Sequence, residues 1–369
     1  MGDILSELRL DPTSDLTIVG QIRAQLTLLV ADGRLEPGAR LPAVRALADA
    51  LDVNVNTVRA AYARLEEAGV VVTRHGVGTI VQPLSEGTLR GGGPRYLSNT
   101  VGVIIAGLDP FYLGLLRGIE SKAEEHGTLI LIVAAHDSAA RATAAIRQLA
   151  ARGADGIIAV SIGWPEKGTP QAALPPIVYV DQPDRQGESF VFDAEQAGYD
   201  ATRHLLDHGH TRMGFVSPPL EWPNLGPLFD GHRRAMSEAG HDAEATTLSI
   251  VDDFDVAAGR RGLGQLLERS DRPTAVITSS ALITVGVLEE ARQRGLDVPN
   301  DLALIGYADI DVTRSTHPPL TMISLPIFEA GVAAMTAVQS MIAGTLKKPE
   351  QHVFQCTLHV RESCGPHPI

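Results

Sequence analysis

From Thr100 onward the chain alternates short apolar runs with amphipathic stretches, and few architectures accept that rhythm. The runs are VGVIIAG, TLILIVAA, DGIIAVS, PPIVYVD, RMGFVS, TTLSIV, TAVITS and LALIGYA. Helical stripes lie between several of them, such as Tyr112–His126, Ala139–Arg152, Glu195–His208, Phe229–Ala239 and Leu282–Arg294. Strands that are apolar on both faces need cover on both, and helices crossing between parallel strands supply it. The stretch is therefore read as α/β, about 260 residues long, enough for two such sheets. In that arrangement ligands bind in a crevice at the carboxyl ends of the strands.

The pattern before residue 83 is of another kind. Ile18, Ile22, Leu26, Leu29 and Val30 share one helical face, which Asp32-Gly33 ends. Pro37-Gly38 makes a turn, and Pro42 suits the start of a second helix, whose stripe is Val44, Leu47, Ala48 and Leu51. Asn54 is placed to cap a third helix with Val58, Tyr62 and Leu65 inward, and Gly69 closes it. VVVTR and GTIVQ then flank a turn at His75–Gly78, giving a β-hairpin. Helix, helix-turn-helix and hairpin make a winged helix-turn-helix. Between the two patterns Pro83–Asn99 reads PLSEGTLRGGGPRYLSN, which neither sustains a helix nor buries a core. The expected organisation is residues 1–82 as an α+β winged helix-turn-helix, 83–99 as linker, and 100–369 as a two-lobed α/β domain.

Composition narrows the function classes. The two cysteines, Cys356 and Cys364, support neither a disulfide scaffold nor a cysteine metal site, and a reducing compartment fits them. The opening MGDILSELRLDPTSD has acids and no apolar core, so no signal peptide is expected, and no apolar run is long enough to span a membrane. The expected location is the cytoplasm. The net charge of −13 argues against a nucleic-acid binder when taken whole. Split at the linker, residues 1–99 carry −1 and residues 100–369 carry −12. The acidity thus lies outside the module that would meet DNA.

The segment GRLEPGARLPAVRALADALDVNVNTVRAAYARLEEAGVVVTRHGVGTIV resembles the GntR family of bacterial regulators. The spacing of Gly38, Leu41-Pro42, Arg45, Leu47-Ala48, Thr57-Val58-Arg59, Leu65, Gly69, Gly76 and Gly78 carries that resemblance. TVGVIIAGLDPFY, RGIESKAEEHG, ARGADGIIAV, HLLDHGHTRMGFV, RPTAVITSS, RGLDVPNDLALIGYADI and PPLTMISLP look like the effector domain of the lactose-repressor family, itself similar to periplasmic sugar-binding proteins. The pairing of the two modules resembles the arabinose-type repressors.

A recognition helix reads base edges with residues near its N-terminus while neighbouring groups hold phosphate. The resemblance places Arg45 on phosphate, Asn54, Asn56 and Thr57 at the groove, Arg59 on backbone or guanine, and His75 and Gly76 at the wing tip in the minor groove. Asn can pair bidentately with adenine. Val55 stands where the family often has Arg and offers only apolar contact. Asn54 as helix cap and Asn54 as reader both stand.

For the effector cleft the resemblance implies Phe254 as the stacking aromatic and Asp109, Phe111 and Tyr112 on the first loop, with Asp193, Ser280 and Asp309 as polar contacts. The family's clamps are altered: Leu228 replaces an Arg, Ser280-Ala281 an Asn-Asp pair, and Ala308 an Asp. Leucine cannot make the forked bonds of Arg, which puts a typical free sugar in doubt. A less polar ligand, a ligand held by Asp181, Asp193, Trp222, Asn224 or Ser279, and no ligand at all stay open. Trp222 stacks on ligand or packs on the surface. His204, His208 and His210 have the spacing of some zinc ligands, but no Cys or carboxylate cluster joins them in sequence, and a structural role is preferred.

The expected function is a transcriptional regulator, a repressor, bound to double-stranded operator DNA as a homodimer and controlled by a small-molecule effector, without cofactor, metal or membrane partner. The alternatives are a ligand-blind DNA binder whose second domain only dimerises, and, less favoured, a solute receptor or an enzyme. No Ser-His-Asp or paired-carboxylate motif stands out for the last.

Overall fold

The computed structural model describes residues 8–10, 17–31, 34–67, 69–74, 76–82, 98–136, 138–161, 174–182, 187–242 and 246–365. Asp32-Gly33, His75 and residues 83–97 of the expected linker lie outside the described residues. The chain divides into two compact units, one of Met1–Gly107, Ala123–Val178 and Ala337–Lys347, the other of Leu108–Lys122, Tyr179–Thr336 and Lys348–Ile369.

The first unit opens with three helices, α1 (Ile18–Ala31), α2 (Val44–Leu51) and α3 (Val55–Glu67), then the hairpin β1 (Val71–Arg74) and β2 (Gly78–Val81). Ile22, Leu26, Leu29, Val30, Leu47, Ala48, Val58, Tyr62 and Leu65 form one core, as their spacing requires. Ile18 departs from that face and is 45% exposed, because it stands in the first turn of α1. Pro42 lies before the helix start and not in its first turn: Ala43 is the N-cap of α2, and the Pro42 carbonyl accepts from Tyr62 Oη at 2.8 Å, tying the two helices. Asp52 ends α2 in the left-handed region at φ 51°.

The same unit then contains β3 (Thr100–Ile105), β4 (Leu129–Ala134), α5 (Ala139–Ala151) and β5 (Gly156–Val160), following α4 (Phe111–Glu124) in the chain. β3 pairs in parallel with β4 on one side and β5 on the other, and every residue of β3 is buried. Ser98 and Asn99, expected as the end of the linker, are fastened here. Ser98 Oγ donates to the Gly153 carbonyl at 2.7 Å, and Asn99 Nδ2 to the Gly127 carbonyl at 2.7 Å.

The second unit carries β6 (Ile177–Val180, entered at Tyr179), β7 (Ser189–Phe192), α6 (Ala194–Asp207), β8 (Met213–Ser217), α7 (Leu225–Glu238), β9 (Thr247–Ile250), α8 (Val256–Leu267), β10 (Ala275–Thr278), α9 (Ala281–Gln293), β11 (Ala303–Tyr307), α10 (Asp311–Arg314), β12 (Thr321–Ser324), α11 (Ile327–Ile342, left at Thr336), β13 (Gln351–Phe354) and β14 (Thr357–His359). β7 pairs in parallel with β6 and β13. A six-stranded sheet has the order β14-β12-β11-β10-β8-β9, parallel except for β14. All eight expected strands are present. β7, β12, β13 and β14 add to them. α7 begins four residues before the expected Phe229, because Pro227 falls in its first turn, where a missing N–H costs no helical bond.

Paired glycines bring helices into backbone contact. A Cβ on Gly198 of α6 would lie 1.9 Å from the Leu228 carbonyl oxygen, and one on Gly286 of α9 would lie 2.0 Å from that of Val256. Such approach admits only glycine, and it sets the helices whose starts flank the carboxyl ends of the strands.

Candidate functional site

On the first unit the start of α3 is built to project polar groups. The Asn56 amide donates to Asn54 Oδ1 at 2.8 Å, so Asn54 caps the helix. The Arg59 Nη1 donates to Asn56 Oδ1 at 2.8 Å. Arg45, Asn54, Asn56 and Arg59 are exposed, and Thr57 and Val55 are half-buried. At the wing, Gly76 has φ 76° and is exposed, next to Val77 at 48% exposure. Sequence reasoning missed Arg40. Its exposed side chain lies over Gly78, where a Cβ would come 2.7 Å from the Arg40 Nε, so glycine at 78 makes room for a cation at the wing. The isolated bridge between Arg40 and Ile80 was not legible as a strand.

On the second unit the expected effector residues separate into two groups. Asp109 Oδ1 accepts from the Phe111 amide at 2.7 Å, and the Phe111 and Tyr112 rings meet edge to face at 5.2 Å. Burial raises the Asp109 pKa; the Phe111 amide opposes this and the Asp253 charge adds to it. Trp222 packs edge-on against Phe254, centroids 5.4 Å apart, so its ring belongs to the same surface as the expected stacking aromatic. Asn224, two residues on, donates to Asp181.

The other three have structural tasks. Asp193 caps α6 through Gln196, and its second oxygen accepts from Gln355. Ser280 caps α9 and donates to the Phe254 carbonyl at 3.4 Å. Asp309 has a fully buried side chain held by Arg361, Arg314, His359 and Thr313. Burial raises the Asp309 pKa, but the Arg361 and Thr313 hydrogen bonds outweigh it and hold it below the usual range. Arg361 stands 52 residues away, so nothing local in the sequence announces the pair. Leu228, at the expected clamp position, is fully buried.

The histidines are occupied within the fold. His204 Nε2 lies 3.2 Å from Cys364 Sγ, His208 Nδ1 bonds the His204 carbonyl at 2.7 Å, and His210 Nδ1 lies 3.0 Å from Thr274 Oγ1. Among the described residues no group of three or more His, Cys, Asp or Glu could hold a metal ion. Burial, with Asp193 and Asp181 adding to it, pushes the Cys356 thiol up to about 12, so it stays protonated and unreactive.

A winged reader with an exposed Asn/Arg face, followed in the chain by parallel α/β sheets with a mixed aromatic and polar edge, defines a ligand-responsive transcription regulator. Bacterial regulatory proteins of the gntR family match residues 18–81, and the periplasmic binding protein-like domain matches residues 202–364. The chain is 31% identical over 293 residues to the HTH-type transcriptional repressor CytR of Escherichia coli (strain K12), covering 78% of this chain and 84% of that protein. It is 32% identical over 244 residues to the ribose operon repressor of the same strain, covering 64% of this chain and 74% of that protein. The LacI family regulator from Enterococcus faecium, solved with bound ribose, superposes with a TM-score of 0.65 at 24% identity, over 72% of this chain and 99% of that one. The chain belongs to the family of bacterial transcriptional repressors that includes CytR and the ribose operon repressor, with a gntR-type reader at its front. It is a DNA-binding repressor under small-molecule control. Among the described residues no helix is long and apolar enough to cross a membrane.

Proposed function

We propose that Asn56, Thr57 and Arg59 read operator bases from the start of α3, that Arg45 and Arg40 hold phosphate, and that the wing at Gly76 follows the minor groove. His75 is assigned to the same wing from its position in the sequence. The carrying observation is the exposed Arg59–Asn56 pair, since a guanidinium held by its neighbour presents its remaining donors in a fixed direction. The protein acts in the cytoplasm as a homodimer, because a two-fold reader gains specificity from two spaced half-sites. It performs no chemistry on its ligand.

The effector lies against Asp109, Phe111, Tyr112, Trp222 and Phe254. Asp193, Ser280 and Asp309 serve it by fixing helix starts and the strand edge, given the partners already described. A ligand that prefers one arrangement of this domain shifts operator affinity by the same differential free energy. Two substitutions test the assignment. Arg59→Ala weakens operator binding by about 1–3 kcal/mol while effector binding persists. Phe254→Ala leaves operator binding intact and removes the response to effector. Normal operator affinity in Arg59→Ala overturns the reading of α3.

A further inference from the structure

The hairpin of the reader has two edges, and each is tied back to α3. At one edge the Leu41 amide donates to the Thr79 carbonyl and the Val81 amide to the Ala39 carbonyl, both at 2.9 Å, so residues 39–41 run beside β2. That stretch leads into Pro42, whose carbonyl accepts from Tyr62 Oη of α3 at 2.8 Å. At the other edge no strand lies beyond β1 among the described residues. The Val70 carbonyl accepts from the Gln82 amide, so by the alternation of an antiparallel pair Val72 and Arg74 also face β2 and Thr73 faces outward. The outward Thr73 amide donates to Glu66 Oε1 of α3 at 2.6 Å.

Tyr62 and Glu66 stand one turn apart on α3, and their two bonds close a ring. It runs from α3 through Pro42, residues 39–41, β2 and β1, and back to α3. The two ties differ in kind. Tyr62 is buried in the core of the reader, where packing also holds it. Glu66 is exposed, so packing does not account for its place, and its bond is charge-assisted. That bond holds the outer strand of the wing against the helix. The wing tip hangs from the same strand, since the Val77 amide donates to the Arg74 carbonyl at 3.1 Å. Asn56 and Arg59 project from the other end of α3, which is one continuous helix. A shift of β1 against α3 therefore moves the wing tip relative to the residues assigned to base reading.

We propose that Glu66 is a positioning residue that fixes the wing against α3, so that one duplex must satisfy the major groove and the minor groove at a set offset. This rests on the reading of α3 and the wing given above, and adds the group that couples them. Glu66 contacts no base and acts through Thr73.

The test starts from the duplex that the full chain selects out of a random pool. Each base pair is replaced in turn by G·C and by inosine·cytosine. These two present the same major-groove pattern and differ by the 2-amino group in the minor groove. Pairs where the two bind differently report the wing, and pairs where both lose affinity alike report α3. Fluorescence anisotropy compares wild type, Glu66→Ala and Glu66→Gln. Both variants fold, because alanine and glutamine suit an exposed helical position. They lose the same charge, but glutamine keeps an acceptor for the Thr73 amide.

Wild type separates the two pairs by at least about fivefold at one or more wing positions. Glu66→Ala narrows that gap to within about twofold and leaves discrimination at α3 positions within about twofold of wild type. Glu66→Gln keeps the wild-type pattern. A wing gap that survives in Glu66→Ala overturns the proposal, as expected if water serves the Thr73 amide equally well. So does an equal loss at both classes of position, the mark of a merely structural role, and so does Glu66→Gln behaving like Glu66→Ala. Those outcomes leave the reading of α3 and the wing standing. If wild type separates the two pairs nowhere, the minor-groove reading of the wing falls and takes the positioning role with it.

Discussion

Arg59 donates from Nη1 to Asn56 Oδ1 at 2.8 Å, one turn back along the exposed face of α3. The two residues assigned to base reading are therefore one unit, in which Asn56 orients the guanidinium and Arg59 fixes the amide. Asn56→Ala and Arg59→Ala each cost about 1–3 kcal/mol of operator binding. Because the side chains touch, the double variant loses less than the sum by at least about 0.5 kcal/mol. Fluorescence anisotropy at fixed salt measures the cycle, and additive losses would show that the pair does not act together on DNA.

The reader module has few cations to spend on phosphate. Between Arg40 and Gln82 stand five arginines and four acids. The slope of log affinity against log salt then corresponds to fewer than about eight counterions per monomer. Operator binding titrated across a salt series gives this number directly, and a steeper slope would mean that cations outside this segment reach the DNA.

His232 makes stability acid-sensitive. It is fully buried, with Nδ1 2.8 Å from Thr202 Oγ1 and Nε2 2.8 Å from Thr246 Oγ1. Burial lowers its pKa from 6.5 to about 4. Between those values the unfolded chain binds a proton that the folded chain refuses. Its contribution is whole above pH 6.5 and is lost as pH falls toward 4, by about 3 kcal/mol in all. Asp309, held below the usual carboxylate range, adds loss in the same direction on further acidification. Urea unfolding at several pH values reads the slope, and His232→Gln flattens its upper part.

Arg361→Ala removes the nearest cation from the buried carboxylate of Asp309, leaving Arg314, His359 and Thr313 on it, and costs about 1.5–3 kcal/mol. Asp309→Asn in the same chain recovers much of that loss, since no charge is left behind. Thermal or urea unfolding distinguishes this from a solvent-exposed pair, whose removal would cost under about 1 kcal/mol.

Much of this architecture was legible because the elements that build it are long and periodic. The stripes Val58–Tyr62–Leu65 and Leu47–Ala48 announce the helix-turn-helix, and the eight apolar runs announce the sheets. β13 and β14 were not legible: QHVF and TLH are short, mostly exposed edge strands with no buried run to betray them. The DNA face was read from position along α3, and Asn54 proved to have the geometry of a cap. The effector edge was read less completely. Arg361 reaches Asp309 only because β14 returns the chain beside β12. Pairings across such sequence distances leave no local pattern.

The central claim is that this chain reads a two-fold operator through α3. Selection of bound duplexes from a random pool by the full-length protein tests it most directly. The account predicts enrichment of a palindrome with two half-sites, which Arg59→Ala enriches far more weakly. A pool that returns no enriched sequence, or one that Arg59→Ala enriches equally well, would contradict it.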